Sequence, residues 1–138
     1  MRVALDETTS WVIAEMLNEL FEFHVIESVS KDLYLSGKLD TELLPRLQEA
    51  GFDALLTADV SMLTEHREAL RASGLHWIGI NQVKVPGEAG IAFLAASAFA
   101  ALPLIFDEIL GLPPGERRAF KVKRLSVQRG QRYTAQPI

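Results

Sequence analysis

The stretch Val3-Ala4-Leu5-Asp6-Glu7 opens the chain as a short apolar run that stops on two carboxylates. Three consecutive apolar residues without alternation describe a strand covered on both faces, as in a parallel sheet. Thr8, Thr9 and Ser10 follow as candidate helix caps, with Thr8 read as a cap. Ile13, Met16, Leu17 and Leu20 recur at helical spacing, and residues 23–26 form a second short strand. The opening therefore reads strand, helix, strand. A helix follows an irregular segment at residues 27–38, with Asp40 as its cap, Leu43, Leu44, Leu47 and Ala50 as its buried stripe, and Gly51 as its stop. Residues 53–57 make a third strand, residues 63–72 a helix, and residues 77–80 a fourth strand. Pro86-Gly87 turns the chain into an alanine-rich helix that Pro103 is expected to kink or break. Residues 119–127 form a fifth strand with a phase slip near Arg124-Leu125, and residues 128–138 a polar tail. This alternation predicts an α/β fold, a three-layer α/β/α sandwich around a mostly parallel central sheet.

The length, 138 residues, suits one domain. The absence of cysteine excludes a disulfide scaffold, a thiol nucleophile and a sulfur-ligated zinc site, and it fits a cytoplasmic protein. Residues 1–115 carry 7 basic and 17 acidic residues, net −10, whereas residues 116–138 carry 7 basic and 1 acidic, net +6. The overall charge of −4 hides this split, and local charge decides attraction to phosphate. No signal peptide is visible. The most apolar stretch, residues 90–105, is short for a membrane span and reads as a buried or partner-facing helix, so no membrane role is expected.

In an open α/β sheet, ligands bind outside the carboxyl ends of the strands. Asp6 and Glu7 end the first strand, Asp59 lies just past the third, and Asp40 and Glu42 begin the helix leading into it. Several carboxylates meeting at one edge repel one another unless a cation neutralises them. Oxygen ligands without cysteine or clustered histidine suit Mg2+ or Mn2+, ions that support phosphodiester hydrolysis. The same acids also serve widely as caps and loop residues.

These residues carry a resemblance. Val3-Ala4-Leu5-Asp6-Glu7 resembles the first strand of short PIN-like domains, which ends in Leu-Asp-Glu. Asp40-Thr41-Glu42-Leu43-Leu44 resembles the acidic start of their next helix, and Leu55-Leu56-Thr57-Ala58-Asp59-Val60-Ser61-Met62 their Leu-Val-Thr-x-Asp-x-Asp-Phe motif. Order and spacing match over about residues 2–82. The family is similar to VapC-type ribonuclease toxins, which cut RNA with Mg2+ or Mn2+ and are held inactive by an antitoxin. The resemblance implies a PIN-like domain over residues 1–115, with residues 116–138 as a basic strand and tail. It implies that Asp6, Asp40 and Asp59 hold metal, with Glu42 as a rival to Asp40. Ser61 stands where the family has a second aspartate, and Met62 where it has an aromatic. That departure weakens a second metal position or shifts its role to Asn81 or water.

The expected activity is metal-dependent RNA cleavage, with Thr57 and Ser61 near the phosphate and Lys121, Lys123 and Arg124 on the RNA backbone. A non-catalytic PIN-like binding module is the alternative favoured by Ser61. A receiver-like phosphoacceptor domain is another, with Asp59 as acceptor and Lys84 behind it. An antitoxin protein or a second copy could pair with the alanine-rich helix. His24, His66 and His76 read as strand or surface residues rather than general bases, and Trp11 and Trp77 as core or interface.

Overall fold

The computed structural model describes residues 1–81, 85–123, 125 and 136. Five parallel strands form one sheet: β1 (Arg2–Leu5), β2 (Val25–Ser28), β3 (Ala54–Thr57), β4 (His76–Ile80) and β5 (Ala119–Val122). Their order is β2-β1-β3-β4-β5. Among the described residues, five α-helices cover the sheet: α1 (Trp11–Leu20), α2 (Asp40–Glu49), α3 (Met62–Glu65), α4 (Arg67–Ser73) and α5 (Gly87–Leu110). α1 and α5 share one core with Leu5, Leu56 and Ile78, while α2 and α4 share the other with Ala4, Leu55 and Trp77. The result is the expected three-layer α/β/α sandwich, with every strand pair parallel. β1, β3 and β4 are buried on both faces, which is why their sequences run apolar without alternation.

Several local expectations are corrected. The apolar stripe of α1 is narrower than its spacing implies. Ile13, Ala14 and Leu17 are buried, but Met16 and Leu20 are exposed. β2 begins two residues later than expected, because the Val25 N–H donates to the Met1 carbonyl and sets the register against β1. Phe23 is consequently 88% exposed. Asp40 is the first helical residue of α2, and no side chain caps that helix. The segment after β3 splits into α3 and α4 at His66, whose φ of −119° and ψ of 28° leave the helical region. Gly74 then ends α4 with φ of 65°, a left-handed conformation that glycine adopts without penalty.

Pro103 does not end α5, which continues to Leu110. Proline forfeits one intrahelical hydrogen bond, and its ring is exposed while Leu102, Ile105 and Phe106 on either side are buried. Running through Pro103 makes α5 long and apolar enough, by length and composition alone, to cross a membrane. Leu94, Ala98, Leu102 and Phe106 pack on the sheet. β5 ends at Val122, earlier than expected. Lys84, Arg124, Arg129, Arg132 and most of the expected tail lie outside the described residues.

Two local devices bear on the sheet, one at its β2 edge and one on the interior strand β4. At β2, the Asn18 amide donates to the Ile26 carbonyl at 2.7 Å and accepts from the Ile26 N–H at 2.8 Å. One side chain thus occupies both backbone groups of an edge residue, which blunts strand addition there. On β4, a Cβ on Gly79 would stand 2.0 Å from the Trp77 ring, so glycine is required where the indole lies across the sheet.

Candidate active site

The chain leaves β1 toward β2 and returns on the other side to β3, so the strand order reverses between β1 and β3. A crevice outside the carboxyl ends of two such strands is the usual ligand position in open α/β sheets. Asp6 follows β1 there, and its N–H donates to the Leu56 carbonyl of β3 at 2.9 Å. This bond places the Asp6 side chain beside Thr57, the last residue of β3.

Asp6 is only 6% exposed. Its Oδ1 accepts the Glu7 N–H at 2.8 Å. Its Oδ2 accepts the hydroxyls of Thr8 and Thr57, each at 2.8 Å. A buried carboxylate is costly without such donors, and these three supply them. The Thr57 hydroxyl, wholly buried, also accepts the Asp59 N–H at 2.9 Å. One hydroxyl therefore ties the side chain of Asp6 to the backbone of Asp59. Asp59 Oδ1 in turn accepts the Ser61 N–H at 2.9 Å and the Ser61 hydroxyl at 2.8 Å, fixing the turn into α3.

Asp40 completes the group from α2. Its Oδ2 lies 3.2 Å from His66 Nε2. Burial pushes the Asp40 carboxyl above its ordinary range. His66 opposes that rise, while the charges of Asp6, Asp59 and Glu65 add to it. The three expected acids therefore sit within electrostatic reach of one another at one edge. Among the described residues, however, no three His, Asp or Glu side chains close on a common point that would hold a metal ion directly.

The other expected site residues fall as follows. Glu42 is exposed two residues beyond Asp40, and helical neighbours at that spacing face different ways. Glu7 turns outward and its Oε1 accepts the Gly37 N–H at 2.8 Å, pinning the loop before α2. Thr8 binds Asp6 rather than capping α1, which has no side-chain cap. The hydroxyls of Thr57 and Ser61 are directed at carboxylates. Lys121 and Lys123 are exposed at and just beyond β5, about 14 Å from β1 across three strand spacings.

His66 is the residue that sequence reasoning missed. Between Glu65 and Arg67 it carries no motif, and only the break between α3 and α4 turns it toward Asp40. His24 and His76 lie elsewhere. His24 Nδ1 is 3.5 Å from the N-terminal amine, and His76 Nδ1 accepts the Arg118 N–H at 3.2 Å. Burial lowers the pKa of both, helped by the N-terminus at His24 and by Arg117 at His76.

No curated protein and no solved structure gives a significant match to this sequence. A family model described as a PIN-like domain matches residues 1–82, which contain β1 to β4 and all three acids. The chain belongs to the PIN-like domain family.

Proposed function

We propose that this PIN-like chain is a ribonuclease that hydrolyses RNA phosphodiester bonds, with Asp6, Asp40 and Asp59 holding Mg2+ or Mn2+. The observation that carries this reading is the placement of three acids at the strand-order reversal, one of them buried and held by two hydroxyls. The donor set fits a hard cation. It is oxygen-only, and Asp40 Oδ1 and Asp59 Oδ2 have no hydrogen-bond partner among the described residues. Mg2+ keeps several waters and takes one or two carboxylates, so three direct ligands are not needed. A bound divalent ion supplies charge neutralisation at the phosphate and a lowered pKa for water.

The chain's own groups hold the rest. Thr57 and Thr8 fix the Asp6 carboxylate, and Ser61 fixes that of Asp59. A shallow cleft of about 190 Å³ opens beside Thr8 and Ser10 and reaches Gly87 and Gly90. The amino ends of α1 and α5 border it, and the partial positive charge of helix amino ends favours a phosphate there. A toxin role with an antitoxin partner draws its support from the resemblance to VapC-type ribonucleases.

A second reading, a PIN-like module that binds RNA or protein without cutting, is favoured by the open spacing of the acids and by Ser61. Incubating mixed single-stranded and structured RNA with the protein, in Mn2+ or Mg2+ against EDTA, separates the two. Cleavage that requires the ion and disappears in Asp6→Asn supports the nuclease. Retained cleavage in Asp6→Asn refutes this site. RNA binding without cleavage at any ion concentration selects the second reading.

A further inference from the structure

A second cavity, of about 250 Å³, lies on the other side of the sheet from α5, between α4 and β5. The helices α2 and α4 cover β1, β3 and β4 on this face, and the groove opens where that cover ends. Its floor is apolar, built from Leu70, Leu75, Trp77 and Ala119. Four arginines surround it: Arg67, Arg71, Arg117 and Arg118.

Their charges are not equally compensated. Arg118 is held by Glu108 at 2.6 Å and Glu116 at 2.9 Å, and Arg71 pairs with Glu68 at 3.3 Å. Among the described residues, Arg117 donates to backbone carbonyls, those of Gly74 and Glu116, and to no carboxylate. Arg67 has no carboxylate partner among the described residues. The two uncompensated cations stand at opposite ends of α4, since Arg67 begins the helix and Gly74 follows it. Seven residues at the helical rise set these ends about 10 Å apart. The Trp77 ring lines the space between, and its Nε1–H has no hydrogen-bond partner among the described residues.

We propose that this groove docks an acidic–apolar segment of a partner protein, with two carboxylates on Arg67 and Arg117 and aliphatic side chains between them. On an extended chain, carboxylates four positions apart share one face about 13 Å apart, and the length of the arginine and glutamate side chains closes the difference from the helix ends. RNA fits less well. Trp77 is 2% exposed and presents no face on which a base could stack. This inference does not depend on the nuclease reading, because it uses none of the residues around Asp6.

The test uses the full chain carrying Trp11→Phe, which leaves Trp77 as the sole tryptophan. The probe is a pool of blocked hexapeptides with glutamate at the second and sixth positions and leucine, isoleucine or methionine between them. Saturable change in Trp77 emission is expected, weakened about tenfold by Arg67→Gln or Arg117→Gln through loss of one charge-assisted hydrogen bond. Arg46→Gln, on α2, should leave binding unchanged. Arg67→Gln alters an exposed residue with no carboxylate partner among the described residues, so it keeps the test open even where Arg117→Gln unfolds the chain. No saturation at millimolar peptide overturns the proposal, as does equal binding of the same pool with glutamine for glutamate. Binding of polyuridylate that depends on Arg67, without binding of the peptides, also overturns it.

Discussion

Replacing Thr57 by valine keeps the shape of a wholly buried side chain and removes its hydroxyl. The 2.8 Å bond to Asp6 Oδ2 and the 2.9 Å bond from the Asp59 N–H disappear together, along with a longer 3.3 Å contact to the Thr8 hydroxyl. A bond to a charged group contributes about 1.5–3 kcal/mol, and a stranded buried donor costs about 1–3 kcal/mol. Thr8 still serves Oδ2, and water can reach the partly buried Asp59 N–H, so the two costs do not add in full. The expected loss is about 3 kcal/mol, or roughly 10 °C in Tm for a domain of this size. Thr57→Ser separates the hydroxyl from the methyl group, since it keeps both bonds and loses about 1 kcal/mol of packing. Urea unfolding of the three proteins, read by circular dichroism, gives the comparison. The serine variant should fall between wild type and valine. A valine variant as stable as wild type would show that Thr57 does not hold the two acids, and the reasoning about the site would fail.

Gly79→Ala drives a Cβ to 2.0 Å from the Trp77 ring. It should destabilise by about 1–3 kcal/mol in urea unfolding, with partial recovery in the double variant with Trp77→Phe; no recovery would place the strain elsewhere. The Asp40 carboxyl titrates above its ordinary range, chiefly through burial, so the folded state binds this proton more tightly than the unfolded state does. Its contribution to stability is therefore present at low pH and is lost as pH rises through the folded pKa. Asp40→Asn should unfold at higher urea than wild type at neutral pH, with the gain vanishing below the ordinary carboxylate range; a gain independent of pH would contradict this. Asn18→Ala opens the β2 edge at Ile26 and removes two hydrogen bonds, for a loss of about 1–2 kcal/mol. Light scattering should then rise with protein concentration more steeply than for wild type, and an unchanged profile would show that the edge was not being blocked by Asn18.

The buried strands were legible because burial on both faces writes itself as a continuous apolar run, as in Ala54–Thr57 and His76–Ile80. Asp6, Asp40 and Asp59 were legible as candidates because strand and helix ends position acids by chain order alone. Other features were set by tertiary contact. Spacing placed Met16 and Leu20 with the core of α1, yet the sheet offers room only for Ile13, Ala14 and Leu17. Proline at position 103 suggested a break, but local propensity yields where the flanking residues pack. The partnership of Asp40 with His66 depends on a helix break that no residue type announces. Thr8, read as a cap, donates to Asp6 as Thr57 does.

Calorimetric titration of Mn2+ into the purified chain asks most directly whether the acids at the β1–β3 reversal form a cation site. One saturable event is expected in the wild type and in Glu42→Gln, whose side chain is exposed. The event should be lost or weakened at least about tenfold in Asp6→Asn and Asp59→Asn, as removal of a ligating carboxylate requires. Absence of saturable binding in the wild type, or binding unchanged in Asp6→Asn, would contradict the assignment of these acids.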